Sequence, residues 1–203
     1  VENAYYFDRS GIYGSAAGGG DYGDNARRYA FFCAAALAAL PRIAAGPIIL
    51  HAHDWHTALA PVFLRTWYAS DPYYRRVSTV LSVHNAGFQG HYAPETMDDL
   101  GLPAALFNYR QMEWYGKVNL LKGGLAFADA AITVSPNHAE ELRTPAGGFG
   151  LHEHFRSLGD RFTGIVNGID QVIWNPATDR KITAPFTRDD LAGKRECRRA
   201  LQR

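Results

Sequence analysis

No run of about 18 consecutive apolar residues, the length that a membrane-spanning helix needs, occurs in this chain. A basic segment followed by an apolar one, the mark of a secretory signal, is also missing near its start. The two cysteines, Cys33 and Cys197, lie far apart and form no disulfide framework. We therefore expect no membrane partner and a reducing, cytoplasmic location.

The chain also has almost no excess of charge of either sign. The chain has 21 basic and 20 acidic side chains, a net charge of +1. Nucleic-acid binders usually carry a clear basic surplus, so we expect no nucleic-acid partner. The 203 residues, 47% of them apolar, are enough for a packed core in one domain. Because the first residue is Val1 and not methionine, we expect a processed chain or a piece of a longer one.

Short apolar runs alternate with helical segments along the sequence. Strands are predicted at 48–50, 77–83, 131–134 and 162–166. Helices are predicted at 27–40 (ended by Pro41), 56–69, 117–127, 136–143 and 189–203. This alternation is typical of βαβ units, so the expected fold class is α/β, a Rossmann-like parallel sheet flanked by helices. The run at 48–50 has the pattern of a strand buried on both faces.

Each predicted strand is followed by polar residues. In a parallel sheet these strand ends meet at one edge, where open α/β sheets bind their ligands. The sequence therefore predicts a binding site at this edge. The residues expected to line it are Asp54, His56, His84, Asn85, Ser135, Asn167 and Asp170.

The histidines at 51, 53 and 56 also allow a different hypothesis. His51 and His53 alternate on a strand and share a face, which would suit a zinc site in a metal-dependent hydrolase. The metal motif that this stretch approaches needs aspartate where Trp55 stands, and no cysteine lies nearby. We expect no metal, and keep the hydrolase that uses His51, His53 and His56 as an alternative.

Four long motifs closely resemble bacterial glycogen synthases and plant starch synthases. They are HAHDWHTALAPVFL at 51–64, VLSVHNAGFQGHY at 80–92, LLKGGLAFADAAITVSPNHAEEL at 120–142 and GIVNGIDQVIWNPATD at 164–179. They occur in the family's order, and the likeness covers nearly the whole chain.

The resemblance implies a GT-B fold, in which two Rossmann-like domains face each other across a cleft. Residues 1–203 resemble a partial N-terminal, acceptor-side domain. We expect this sequence to lack the family's opening strands and its C-terminal nucleotide-binding domain. The implied activity is transfer of glucose from ADP-glucose or UDP-glucose to an α-1,4-glucan acceptor, with retention of configuration and without cofactor or metal. A plastid location would follow if the source is a plant.

The same resemblance implies roles for individual residues. Asp54 and His84 match the family's catalytic carboxylate and histidine. Asn167, Lys122 and Tyr13 match residues that contact substrate or lie near the cleft. Asn85 and His56, from the predicted sheet edge, complete the expected substrate-binding set.

A third hypothesis is a glucan-binding module without catalysis, because aromatic side chains are numerous and sugars stack on aromatic faces. We find a single well-placed carboxylate, Asp54, where sugar hydrolases use two. The sequence therefore favours a transferase.

Overall fold

The computed structural model describes residues 2–15, 18 and 20–203. The chain forms two compact units, Val1–Val166 and Asn167–Arg203, although no stretch of the sequence has the composition of a linker. The assignment of 1–203 to a partial N-terminal domain stays a prediction.

Seven strands form within the described residues and make up two sheets. The strands are β1 (Ile48–His53), β2 (Val77–Val83), β3 (His91–Tyr92), β4 (Glu113–Trp114), β5 (Lys117–Asn119), β6 (Ala130–Thr133) and β7 (Phe162–Gly164). The main sheet has the order β1-β2-β6-β7, and all its pairings are parallel. A small antiparallel sheet has the order β3-β5-β4. The predicted parallel α/β fold is confirmed.

Helices connect and cover the strands. They are α1 (Ala4–Phe7), α2 (Asn25–Ile43), α3 (Asp54–Thr57), α4 (Leu59–Arg65), α5 (Thr96–Asp99), α6 (Leu120–Phe127), α7 (Pro136–Leu142), α8 (His152–Ser157) and α9 (Ala192–Leu201). Short 3-10 turns lie at Pro72–Arg76, Ala104–Leu106 and Gly159–Arg161. Among the described residues, no helix is long and apolar enough to cross a membrane.

The predicted end of α2 at Pro41 is wrong, because the helix continues to Ile43. Proline has no backbone N–H, so the carbonyl of Leu37, four residues earlier, loses its helical donor. The hydroxyl of Tyr74 donates to that carbonyl at 2.9 Å. A tertiary hydrogen bond thus replaces the missing helical one and keeps the buried carbonyl satisfied.

Strand β1 is not buried on both faces as its apolar run predicts. It lies at the edge of the main sheet, and the side chain of Ile49 is 73% exposed. Ala52, on the opposite face, is buried in the core. An apolar run cannot distinguish a central strand from an edge strand, since that depends on which strands pair with it.

The helix predicted over 117–127 begins only at Leu120, because 117–119 form strand β5. The side chain of Asn119 ends the strand and caps the helix by accepting the Lys122 N–H at 2.9 Å. Gly124 allows α6 to approach the chain at Ala58 closely. A Cβ atom at position 124 would lie 2.6 Å from the Ala58 Cβ.

The second unit contains α9 and a series of turns. The carboxylate of Asp170 accepts the backbone N–H groups of Val172 and Ile173, each at 2.9 Å. Gly193 leaves no room for a Cβ atom against the carbonyl oxygen of Pro185. Within this unit the chain is therefore held by local caps and one close backbone approach.

Candidate active site

Asp54 stands where β1 ends and α3 begins. Its φ of 56° lies in the left-handed region, which residues other than glycine rarely adopt. Its carboxylate oxygen Oδ1 accepts the backbone N–H of His84, just beyond β2, at 2.8 Å. The carboxyl ends of two neighbouring strands are thus tied together by one side chain. Backbone strain of this kind is often found at functional sites.

A pocket of about 220 Å³ opens beside this junction. It is lined by Tyr13, Asp21, Asp54, Trp55, His56, Asn85 and Phe88. Four of these, Tyr13, Asp54, His56 and Asn85, are among the seven catalytic and substrate-binding residues expected from the resemblance and the sheet edge together. The parallel sheet places the ends of β1 and β2 side by side, which is why residues 30 positions apart meet here.

His56 is held between aromatic rings inside this pocket. Its ring centroid lies 4.9 Å from that of Tyr13, 4.8 Å from Tyr29 and 4.1 Å from Trp55. Burial lowers the pKa of His56, an effect that the carboxylates of Asp54 and Asp21 partly oppose. At neutral pH the ring is therefore uncharged and can donate one hydrogen bond and accept another.

Asn85 lies in a tight turn at the rim of the pocket. Its Oδ1 accepts the backbone N–H of Gly87 at 2.9 Å, while its carbonyl accepts that of Phe88 at 3.2 Å. The turn fixes the Asn85 side chain, so its amide is oriented before any ligand binds. Gly87 suits this position, because a Cβ atom there would lie 3.0 Å from Asn85 Oδ1.

His84 is exposed, and its ring contacts other histidines of the sheet edge. Nε2 of His84 lies 3.0 Å from Nδ1 of His53. His53 stacks in turn on His51, with ring centroids 4.3 Å apart. Nε2 of His51 lies 2.7 Å from Oγ of Ser82. These three imidazoles, His51, His53 and His84, form a stacked row that we call the histidine row.

Three of the seven predicted residues do not line the Asp54 pocket: His84, described above, Asn167 and Lys122. Asn167 is the first residue of the second unit, where it is exposed. Lys122 is buried and lines a different cavity, of about 600 Å³. Its Nζ donates to the carbonyl of Glu113 at 2.6 Å and lies 4.6 Å from the ring centroid of Tyr109. Burial lowers the pKa of Lys122, opposed by the charge of Glu113. The substrate roles of Lys122 and Asn167 stay predictions.

Ser135 serves the fold and not the pocket. Its Oγ accepts the backbone N–H of His138 at 3.0 Å and caps α7. Ser135 does not line the Asp54 pocket, although the sequence places it at the binding edge.

Sequence reasoning missed three residues of the pocket, Asp21, Trp55 and Phe88. Asp21 comes from the glycine-rich segment near the start, where an isolated bridge pairs it with Gly14. A bridge of this kind leaves no periodic pattern in the sequence. The predicted count of one well-placed carboxylate is thus wrong, since Asp21 brings a second to the same pocket.

The histidines of the hydrolase hypothesis do not converge. His51 and His53 belong to the histidine row, whereas His56 lines the pocket among aromatic rings. Within the described ranges, no group of three or more His, Cys, Asp or Glu side chains could hold a metal ion together. The spacing in sequence predicts a shared face for His51 and His53, whereas His56 lies beyond the start of α3 and turns away from them.

Comparison with known proteins gives consistent matches. A family model described as the starch synthase catalytic domain matches residues 1–157. A glycogen synthase from Syntrophotalea carbinolica is 44% identical over 203 residues, which is all of this chain and 42% of the relative. Glycogen synthase 2 from Geobacter sulfurreducens is 43% identical over the same length and likewise matches over 42% of its own chain.

A solved structure has the same fold. The catalytic domain of starch synthase IV from Arabidopsis thaliana, bound to ADP and acarbose, matches with a TM-score of 0.71 and 35% identity, over 89% of this chain and 37% of that one. The GT-B fold expected from the resemblance is thereby confirmed at the level of the α/β architecture. This chain spans less than half the length of the curated relatives described above. Since the family model matches more than three quarters of its residues, the chain belongs to the starch synthase catalytic domain family.

Proposed function

We propose that this chain supplies the acceptor-side half of a glucosyltransferase that elongates an α-1,4-glucan from a nucleotide sugar, with retention of configuration. Relatives named glycogen synthase, identical at 43–44% of positions, support this proposal. ADP-glucose is the proposed donor, because the starch synthase IV neighbour was solved with ADP. UDP-glucose remains the alternative. The predicted cytoplasmic location remains a prediction too.

The observation that carries the proposal is the pocket at the ends of β1 and β2. Its volume of about 220 Å³ is below the usual range of drug-sized sites and suits one sugar ring. The rings of Tyr13 and His56 form an aromatic wall on which a sugar can stack. Asp21 and Asp54 can accept hydrogen bonds from sugar hydroxyls, and the amide of Asn85 can donate one.

The chemistry of glucosyl transfer fits two residues of this edge. The transition state carries positive charge on the sugar ring, which a fixed carboxylate such as Asp54 stabilises. The hydrogen bond from His84 N–H holds this carboxylate in place before substrate arrives. The His84 ring, exposed at the same edge, can bond a hydroxyl of the transferred sugar more strongly as charge develops. With Asp21 the pocket has two carboxylates, so their number no longer distinguishes a transferase from a hydrolase. Family membership supports the transferase.

The test uses a chimera in which this chain replaces the matching 203 residues of the S. carbinolica glycogen synthase. We expect the chimera to transfer labelled glucose from ADP-glucose to glycogen. Asp54→Asn and His84→Ala should each lower turnover by about 10²-fold or more, the usual loss for a contact made in the transition state.

Asp98→Asn is the matched control, because Asp98 is an exposed carboxylate of α5 that does not line the pocket. It should leave turnover unchanged. A folded chimera that binds glycogen without transferring glucose would contradict the proposal and favour the glucan-binding module. Full turnover in Asp54→Asn or His84→Ala would contradict the assigned role of that residue.

A further inference from the structure

The histidine row offers an inference that goes deeper than the proposed function. His53 is its central ring: it stacks on His51 at 4.3 Å and lies 5.3 Å from the His84 ring at an interplanar angle of 21°. His53 is also the member that makes a direct ring–ring hydrogen bond with His84, at 3.0 Å. A change at His53 therefore acts on His84 immediately.

The backbone of His53 is fixed independently of its ring. The hydroxyl of Thr57 donates to the carbonyl of His53 at 2.7 Å and accepts its N–H. This double contact holds the last residue of β1 against the first turn of α3. A ring on such an anchored position loses little further entropy when it binds a neighbour, which is what a positioning residue needs.

A hydrogen bond between two imidazole nitrogens contains a single proton. Either His53 Nδ1 or His84 Nε2 carries it, and the other nitrogen accepts. We propose that His53 is a positioning residue that accepts the Nε2–H of His84 and thereby fixes the tautomer and the plane of the His84 ring. The second nitrogen of His84, Nδ1, is then the one left for substrate.

The surroundings of His53 are compatible with the accepting role. Burial, followed by the neighbouring His51 and His84, lowers the pKa of His53, and only Asp54 opposes this. His53 thus remains uncharged while it faces two other imidazoles. An uncharged ring with its own proton on Nε2 keeps the lone pair of Nδ1 available for His84.

This inference rests on the proposed function for its meaning, because His84 matters only if it contacts the transferred sugar. A neutral imidazole of mixed tautomer would present the right nitrogen to a sugar hydroxyl only part of the time. A fixed neighbour removes this loss, in the way that partner residues set the tautomer of a catalytic histidine. His53 needs no contact with substrate to do so.

The first experiment is ring-nitrogen NMR of the 203-residue chain with ¹⁵N-labelled histidine. We expect His84 to carry its proton mainly on Nε2. His53→Phe keeps an aromatic ring but removes the acceptor, so the Nε2–H to Nδ1–H ratio of His84 should fall roughly three- to tenfold, the effect of one ordinary hydrogen bond. His53→Asn places an amide oxygen near the position of Nδ1 and should restore the ratio. His51→Phe, which leaves the His53–His84 bond intact, is the control.

The second experiment measures turnover in the chimera described above. His53→Phe should lower kcat about tenfold with KM unchanged, and His53→Asn should recover most of it. An unchanged His84 tautomer in His53→Phe, or a proton on Nδ1 of His84 in the unaltered chain, would overturn the proposal. If the tautomer shifts as expected but the chimera is inactive, the positioning role stands and the proposed function fails.

Discussion

Asp54 adopts a backbone conformation that few residues other than glycine tolerate. Its φ of 56° is stabilised by the hydrogen bond from His84 N–H to its carboxylate. Aspartate and asparagine accept left-handed geometry better than most residues, because their short polar side chains can bond locally. The strained backbone and the carboxylate that accepts the His84 N–H thus occur in the same residue, and their contributions to stability can be separated by substitution.

We expect the three substitutions at Asp54 to differ in stability in a fixed order. Asp54→Ala should lower the free energy of unfolding by about 2 kcal/mol, since alanine is strained at this φ and lacks the bond to His84. Asp54→Gly should cost about 1 kcal/mol, because it loses the bond without the strain. Asp54→Asn, which keeps an accepting oxygen, should be nearly neutral. Urea denaturation of the chain measures all three, and equal losses in Ala and Gly would show that backbone strain is absent.

Among the elements, α6 depends on two adjacent glycines with different surroundings. A Cβ at Gly124 would meet the Ala58 Cβ at 2.6 Å and the Ala58 carbonyl oxygen at 2.8 Å. A Cβ at Gly123 would meet the side chain of Met112 at 3.0 Å. Backbone cannot move aside cheaply, whereas a methionine side chain can. Alanine substitutions at the two glycines therefore compare a clash with backbone and a clash with a flexible side chain in the same helix.

We expect Gly124→Ala to lower the free energy of unfolding by about 2 kcal/mol, because overpacking at Ala58 outweighs the helix preference of alanine. Gly123→Ala should change it by less than about 1 kcal/mol, since the helix preference offsets a small shift of Met112. Thermal and urea unfolding of the two variants measure both changes in the free energy of unfolding. A stable Gly124→Ala would mean that α6 can move away from Ala58.

These elements also show what the sequence could predict. Strand β2 follows its β-branched run from Val77 to Val83, and α7 starts after Ser135 as expected, because both signals are local. The extension of α2 past Pro41 could not be predicted, since it depends on the distant hydroxyl of Tyr74. Strand β5 could not be predicted, because its three residues are too few to show the alternation of polar and apolar residues that marks a strand.

In the site, too, some features have a local signal in the sequence and others depend on distant contacts. Asp54, His56 and Asn85 meet in one pocket as predicted, since strand ends in a parallel sheet share an edge. Tyr13 joins them from the segment near the start of the chain, as the family resemblance implies. Asp21 joins the pocket through an isolated bridge that composition does not reveal. Lys122 lies elsewhere because Asn119 starts α6 one turn before it and directs it to Glu113 and Tyr109.

Considered as a whole, this chain offers the pocket that we propose for the acceptor, and its sequence lacks a common phosphate-binding motif. The sequence contains no P-loop, which would be Gly, four residues and then Gly-Lys-Ser/Thr. The curated relatives are more than twice as long as the segment they share with this chain, since it covers 42% of them. Transfer requires donor and acceptor to be held together in register, and the pocket of about 220 Å³ has room for one sugar ring.

We therefore expect the 203-residue chain alone to transfer no glucose and to bind ADP-glucose no more tightly than about millimolar, an affinity near 4 kcal/mol. The exposed face of β1 at the edge of the main sheet, with Ile49 73% exposed, should also make the isolated chain prone to self-association. Label transferred from ADP-glucose to glycogen, compared with a heat-killed sample, tests the first expectation. Calorimetry tests the second, and light scattering the third. Transfer well above the control would place the donor site within these 203 residues. The proposal that this chain supplies only the acceptor-side half of the enzyme would then be wrong.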